Sequence, residues 1–356
     1  MSQDWNRRQL LLAGAAAMPL SAAAAKLKPV RIAIIGFDGH TGEAVEIARE
    51  NPSVQIVAYE ARSERENQRA RSAKDVLAGA KHYDDYRELL AEERLDAVCI
   101  CDQNWRRAES VIACLEKGVP TAAEKPMGIS MAELDEVKRV AKKTGTPLTM
   151  LLPMRFYPQF AVMRDIVQRG VIGEPVNLSA QKSYQLGERP DWMKDRETFG
   201  GTIPYIACHT IDLLRFISGR DMVATAAFHG HVGFPELGEM ENTAAISYQL
   251  DNGGTADVRL DYLRPAAADT HGDDRIRVAG TKGVIEQMHG KVTLMTADKP
   301  LHEVTERPQT PRLFEDFLEA VQNKREPLLT QADIFRVTEI VIRSREAADA
   351  GRVLKI

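Results

Sequence analysis

No apolar run in these 356 residues reaches the ~20 positions that a membrane-crossing helix needs. Concentrated basic charge is missing too. Against 51 Asp and Glu stand 47 Lys and Arg, a formal net charge of -4, which gives no positive field for nucleic acid or an anionic membrane surface. Cysteine is scarce and unpaired. Cys99, Cys101, Cys114 and Cys208 form no zinc-like Cys-x-x-Cys set, and Cys99 and Cys101 fall on one face of a buried strand, a poor geometry for bridging each other. Buried thiols without a disulfide framework are expected. His229-Gly230-His231 has metal-like spacing, but no third ligand accompanies it, so it reads as surface sequence and no metal site is expected. There is no internal repeat.

What is present is an ordinary globular composition, 44% hydrophobic and 28% charged, on a chain long enough for two domains. The first 25 residues stand apart. A polar stretch with Arg7-Arg8 precedes an apolar, Ala-rich run from Leu10 to Leu20, and Ser21 to Ala25 ends in an Ala-x-Ala pattern. These are the three regions of an export signal. Asn6-Arg7-Arg8-Gln9-Leu10-Leu11 resembles a twin-arginine motif, with Asn6 where Ser or Thr is usual and Leu10 where Phe is usual. A periplasmic or otherwise exported location is expected.

From Val30 the pattern alternates strand and helix. Strands are expected at Val30 to Ile35, Val54 to Tyr59, Ala97 to Cys101, Thr121 to Ala123 and within Pro147 to Leu152. Helices fall between them, the last from Met131 with Ser130 as N-cap. That alternation predicts an α/β fold, with a doubly wound parallel sheet over residues 26–152. After Leu152 the texture changes to helices over Phe156 to Arg169 and Pro204 to Ile217, then extended segments joined by turns, with Asp251-Asn252-Gly253-Gly254 as a hairpin. Residues 153–356 thus read as an α+β domain on a large, open, mostly antiparallel sheet, closed by a helix that can pack back on the first domain. An open sheet face predicts a homodimer or homotetramer.

Chemistry concentrates at the ends of the first strands. Val30 to Ile35 runs into Gly36-Phe37-Asp38-Gly39-His40-Thr41-Gly42, a G-x-x-G-x-x-G variant of the turn that brings a pyrophosphate against the N-terminus of the next helix. Glu60, at the end of the second strand and 18 residues past Gly42, is placed to accept both ribose hydroxyls and to repel a 2′-phosphate. That favours NAD, although Arg62 and Arg65 leave NADP open. Cys101-Asp102-Gln103-Asn104 ends the third core strand and Glu124-Lys125-Pro126 the next, both at carboxyl ends, where open parallel sheets bind ligands. A desolvated Lys125 suits proton transfer or the steadying of an alkoxide.

These segments, in this order and spacing, resemble the glucose–fructose oxidoreductase and inositol dehydrogenase family, Gfo/Idh/MocA. The resemblance continues through Arg169 to Val176, Gly200-Gly201-Thr202 to His209 and Asp212, Val278 to Gly283 and the closing helix ending at Gly351. It implies hydride transfer between a bound nicotinamide and a sugar or polyol carbon, in a pocket between the domains. Carried over, Lys125 and His209 surround the carbinol, and His209 takes the hydroxyl proton.

Two positions depart from the family. Tyr205 stands four residues before His209 where an Asp is common, so the carboxylate that would orient the imidazole is missing. Tyr205 can still hydrogen-bond, and Asp212 is expected to reach the ring from the other side. Arg107 replaces a histidine often found three residues after Asn104. By position, Arg155, Lys182, Tyr184 and Trp192 are further substrate-binding candidates, the indole as a face for sugar rings. An exported enzyme has no free nicotinamide pool, so a tightly bound, recycling cofactor is expected. Two other readings stay open: a hydrolase or lyase that oxidises a sugar transiently, and a non-catalytic sugar- or cofactor-binding protein.

Overall fold

The structure, a computed structural model, describes residues 27–356. The export segment expected at residues 1–25 lies outside the described residues.

The β-branched run of β1 (Val30–Ile35) is buried on both faces at the centre of a six-stranded parallel sheet. Its neighbours are β2 (Val54–Glu60) and β3 (Lys81–Tyr83) on one side, and β4 (Ala97–Ile100), β5 (Thr121–Ala123) and β6 (Leu148–Met150) on the other. The connecting helices are α1 (Gly42–Glu50), α2 (Glu64–Ser72), α3 (Tyr86–Glu92), α4 (Asn104–Glu116) and α5 (Met131–Thr144). Ser63 closes a capping box on α2, and Ser130 caps α5 by accepting from the Glu133 amide, as its position predicts. All four cysteines are buried free thiols.

A 3₁₀ turn at Pro153–Phe156 and α6 (Pro158–Gln168) lead into β7 (Pro175–Gln185), the middle strand of a nine-stranded sheet. A short helix α7 (Arg196–Phe199) and the long α8 (Thr202–Ser218) follow. Then come β8 (Met222–Gly230), β9 (Thr243–Leu250), β10 (Thr255–Arg264), β11 (Gly272–Gly280), β12 (Gly283–Met288), β13 (Lys291–Thr296) and β14 (His302–Val304). All pairings are antiparallel except that of β7 with β10, which run parallel with Ala180 opposite Val258. Strict alternation of buried and exposed residues along β9 and β10 marks one face as core and the other as open.

Helix α8 lies on the core face. Fifteen of its residues are buried, because β7 and β10 cover one side while α6 covers another. The chain ends with α9 (Leu313–Asn323), α10 (Gln331–Ala350) and β15 (Leu354–Lys355). Helix α10 packs on α8 and β8 and also on α5 and β6, so it spans both domains. Arg345 near its end donates to the carbonyls of Ile129 in the first domain and Gly200 in the second, at 2.6 and 3.0 Å.

Candidate active site

The glycine turn is shaped by close approaches. Gly36 has φ +72°, and a Cβ there would lie 2.7 Å from the carbonyl oxygen of Cys101. At Gly39, φ +78°, a Cβ would lie 2.6 Å from the Glu124 carboxylate. Gly42 is different. It opens α1, and a Cβ on it would meet nothing within 4 Å. Thr41, the N-cap, gives its side chain to no capping bond, which leaves the positive end of α1 facing open space. Phe37 instead turns inward, edge-on to Tyr59 in the core. Asp38 is buried beside Arg69 and Arg65, 3.4 and 3.7 Å away; burial raises its pKa against the pull of Arg69.

Glu60 is fully buried. Its Oε1 faces Arg62 at 2.5 Å and Arg106 at 3.4 Å, while Oε2 has no hydrogen-bond partner among the described residues. Burial raises its pKa, opposed by the two guanidiniums. Arg106 also reaches Asp102 at 3.1 Å; burial pushes that acid up to about 7 in spite of it. An orphaned carboxylate oxygen beyond β2 and an uncapped helix beyond β1 are what a dinucleotide's ribose and pyrophosphate would complete. The residues fit the group.

Two side chains expected at the cofactor in the next turn are spent elsewhere. Cys101 is buried and contributes its carbonyl, which accepts from the Asp38 amide at 2.8 Å, rather than its side chain. Asn104 spends its amide internally, donating to the Phe199 carbonyl at 2.7 Å and accepting from Arg107 at 3.0 Å. It therefore ties α4 to the second domain. Arg107, noted in the sequence only as a departure, donates to the carbonyls of Lys125 and Pro126 at 3.0 Å and of Asp102 at 2.5 Å. A histidine could not span those acceptors. Gln103 remains at the rim, holding the Trp105 indole at 3.0 Å.

Lys125 and His209 meet where the domains join. The Lys125 ammonium is buried, 3.5 Å from Glu124 and 3.2 Å from the centroid of the Tyr205 ring. Glu124 Oε2 accepts from both the amide and the Nδ1 of His40, at 2.9 and 2.7 Å. Burial works to raise the Glu124 pKa, but His40 and Lys125 prevail and hold it at about 2. The His40 ring lies edge-on to His209, centroids 5.2 Å apart. His209 is buried with no partner for Nδ1 among the described residues, and burial together with Lys182, His40 and Lys125 depresses its pKa well below 6.5. The role of His40 in this group was missed from sequence. A histidine inside a phosphate-binding turn was the available signal.

Asp212 does not reach the imidazole. Both of its oxygens are engaged by Arg155, which also holds Asp333 at 3.1 Å. Burial penalises the Arg155 charge, yet the two carboxylates raise its pKa overall. The pair is buried, at 3% and 1% side-chain exposure, and each side chain is spent on the other. The expectations for Asp212 beside His209 and for Arg155 in the pocket are both corrected. Lys182 and Tyr184 do share a side of β7. The ammonium bonds Asp274 at 2.7 Å and sits 5.0 Å from the Tyr184 ring, which stacks on His271. Trp192 lies edge-on to Phe199 and near Tyr205. His229, from the spaced histidine pair, sits 3.3 Å from both Glu241 and Asp349.

A parallel sheet ending in an open glycine turn, joined to a second domain whose helix α8 contributes a histidine near a buried lysine, defines a dinucleotide-dependent oxidoreductase. Residues 30–151 match the model described as the oxidoreductase family with NAD-binding Rossmann fold, and residues 160–286 match the GFO/IDH/MocA C-terminal domain. The chain belongs to the Gfo/Idh/MocA family. It is 31% identical to the uncharacterised Bacillus subtilis oxidoreductase YrbE over 56% of this chain, a match that spans only 57% of that relative. It is 27% identical to the myo-inositol 2-dehydrogenase of Thermotoga maritima over 72% of this chain and 74% of that one. A solved structure from Thermotoga maritima superposes with a TM-score of 0.87 at 30% identity, covering 92% of this chain and all of that one.

Proposed function

We propose that this protein transfers hydride between a bound nicotinamide and the carbinol carbon of a polyol or sugar. The observation that carries the reading is the Lys125 ammonium and the His40 imidazole meeting on one carboxylate, Glu124, with the His209 ring 5.2 Å from that of His40, next to the glycine turn. When bound, NAD supplies the hydride acceptor. Gly36 to Gly42 and the start of α1 would hold its pyrophosphate, and Glu60 its ribose. The buried Glu60 charge favours NAD over NADP, because a 2′-phosphate would add a second anion beside it.

The chain's own groups supply the rest. Lys125, desolvated and charge-balanced by Glu124, is positioned to stabilise an alkoxide. A basic imidazole next to it takes the hydroxyl proton. Lys182 and Tyr184, on one face of β7, supply polar and aromatic contacts for a polyhydroxylated ligand. Inositol as substrate follows from the names of relatives such as the Thermotoga enzyme and is the first compound to try.

The reading extends to the first 25 residues: folded export with the nucleotide already in place, and association through the open face of β9 and β10. Native purification followed by denaturation should release a stoichiometric nicotinamide nucleotide. Adding polyols to the native protein should then change absorbance in the reduced-nicotinamide band. A protein that binds NADH yet changes with no polyol or sugar would remove the proposal.

A further inference from the structure

We propose that the proton in this reaction is carried by a Glu124–His40 dyad and not by His209. The inference rests on the dehydrogenase reading above and assigns the base within that same site. His40 comes from the glycine turn, and its amide and Nδ1 are both held by one carboxylate oxygen, at 2.9 and 2.7 Å. Gly39 makes that approach possible, since any side chain there would collide with the carboxylate. A carboxylate on Nδ1 fixes the ring orientation, leaves Nε2 as the basic nitrogen and stabilises the imidazolium once formed.

His209 has none of this support. Its Nδ1 is unpartnered among the described residues, Asp212 is taken by Arg155, and the Tyr205 ring faces Lys125. It is sealed at 2% exposure in the field of Lys182, Lys125 and His40, so a proton gained there would face three cations or potential cations in a dry site. His40 is partly exposed, its side chain at 32%, so a proton taken by it can pass to solvent. The charged and titratable groups acting on this pair include Glu43 from α1, Arg107 from α4, Glu124 and Lys125 after β5, Lys182 and Tyr184 from β7 and the two imidazoles themselves.

In oxidation, the carbinol C–H bond gives its electron pair as hydride to the nicotinamide. The O–H proton passes to Nε2 of His40, the carbinol becomes a carbonyl, and the Nδ1–H stays on Glu124. The oxygen lone pair closes the C=O bond, so atoms and electrons balance without a further reagent. His209, neutral beside it, holds the substrate hydroxyl by hydrogen bonding.

The test uses the full-length protein loaded with NAD+, comparing His40→Gln, His209→Gln and Glu124→Gln. NADH fluorescence and thermal melting serve as binding and folding controls, and ¹⁵N imidazole NMR reports tautomers. General-base loss is worth about 100-fold or more in kcat, so His40→Gln should fall by that factor with NADH affinity retained, and His209→Gln should act mainly on KM. The His40 ring should be the Nδ1–H tautomer in the wild type and lose that state in Glu124→Gln. A His209→Gln variant that loses kcat about 100-fold while His40→Gln keeps it overturns the proposal. So does an Nε2–H tautomer at His40 in the wild type. A wild type that binds NADH but oxidises no carbinol sinks the dehydrogenase reading and the proton step together, whereas turnover surviving His40→Gln sinks the dyad alone.

Discussion

The ammonium of Lys125 stands 3.2 Å from the centroid of the Tyr205 ring, an amine from the first domain covered by an aromatic face from the second. Tyr205 thus meets the lysine through its ring, by cation–π attraction. A desolvated contact of this type is worth about 2 kcal/mol, or about 30-fold in rate. Tyr205→Phe keeps the ring and should leave kcat/KM within about threefold, whereas Tyr205→Leu should lower it about 30-fold. Steady-state kinetics on the two variants measure the difference, and equal losses would show that the hydroxyl, not the ring, matters.

Gly39 and Gly42 should fail differently. Gly42→Ala meets open space and a helical backbone, so melting should be unchanged while NADH affinity weakens at least tenfold, because the methyl enters the volume reserved for pyrophosphate. Gly39→Ala drives a methyl into Glu124 at positive φ and should lower the melting temperature as well. Isothermal titration beside a melting curve separates the two. Unchanged affinity in Gly42→Ala would place the cofactor elsewhere.

Arg155 and Asp212 predict a stability effect and not a kinetic one. Breaking a sealed ion pair from one side costs about 3–5 kcal/mol, so Arg155→Met should shift the urea midpoint strongly. Arg155→Met with Asp212→Leu together should recover much of that loss, since no fully buried charge is left unpaired and Asp333, 30% exposed, keeps Arg215 at 3.5 Å. A double variant no better than the single one would mean that packing of the guanidinium on Phe216 dominates.

Glu124 sets a pH dependence of definite sign. Its carboxyl is held at about 2 in the folded chain against an ordinary 4.5, so the folded state binds this proton less readily than the unfolded state. The stabilisation is therefore complete at neutral pH and is lost as pH falls from 4.5 towards 2. The stability gap between wild type and Glu124→Gln, read from denaturant unfolding at several pH values, should shrink over that window. A gap that widens in acid contradicts the assignment.

The strand–helix alternation of the first domain was legible because β1 past Arg31 and all of β4 are buried on both faces, which leaves continuous apolar runs such as Ile32 to Ile35. β3 was not, since Lys81-His82-Tyr83 is a three-residue edge strand with two exposed positions and no periodicity to detect. β12 lay hidden between glycines at 283 and 290. At the site, position along the chain placed Lys125, Glu124 and the glycine turn, because their places follow from the carboxyl ends of strands. Partner choice was beyond it. Asp212 is three residues from His209 in sequence, yet it turns to Arg155, 57 residues away, because a buried guanidinium offers two fixed donors. The link from His40 to Glu124 spans 84 residues and depends on the missing side chain at Gly39, a steric fact invisible to residue spacing.

Helix α10 fastens the two halves, with Arg345 clasping a carbonyl from each. Because it follows both domains in the chain, the junction holding Lys125 and His209 stays unlatched until this helix has packed across them. A shortened chain ending before Gln331 would retain every residue proposed for chemistry and still lack the strap that keeps them facing one another.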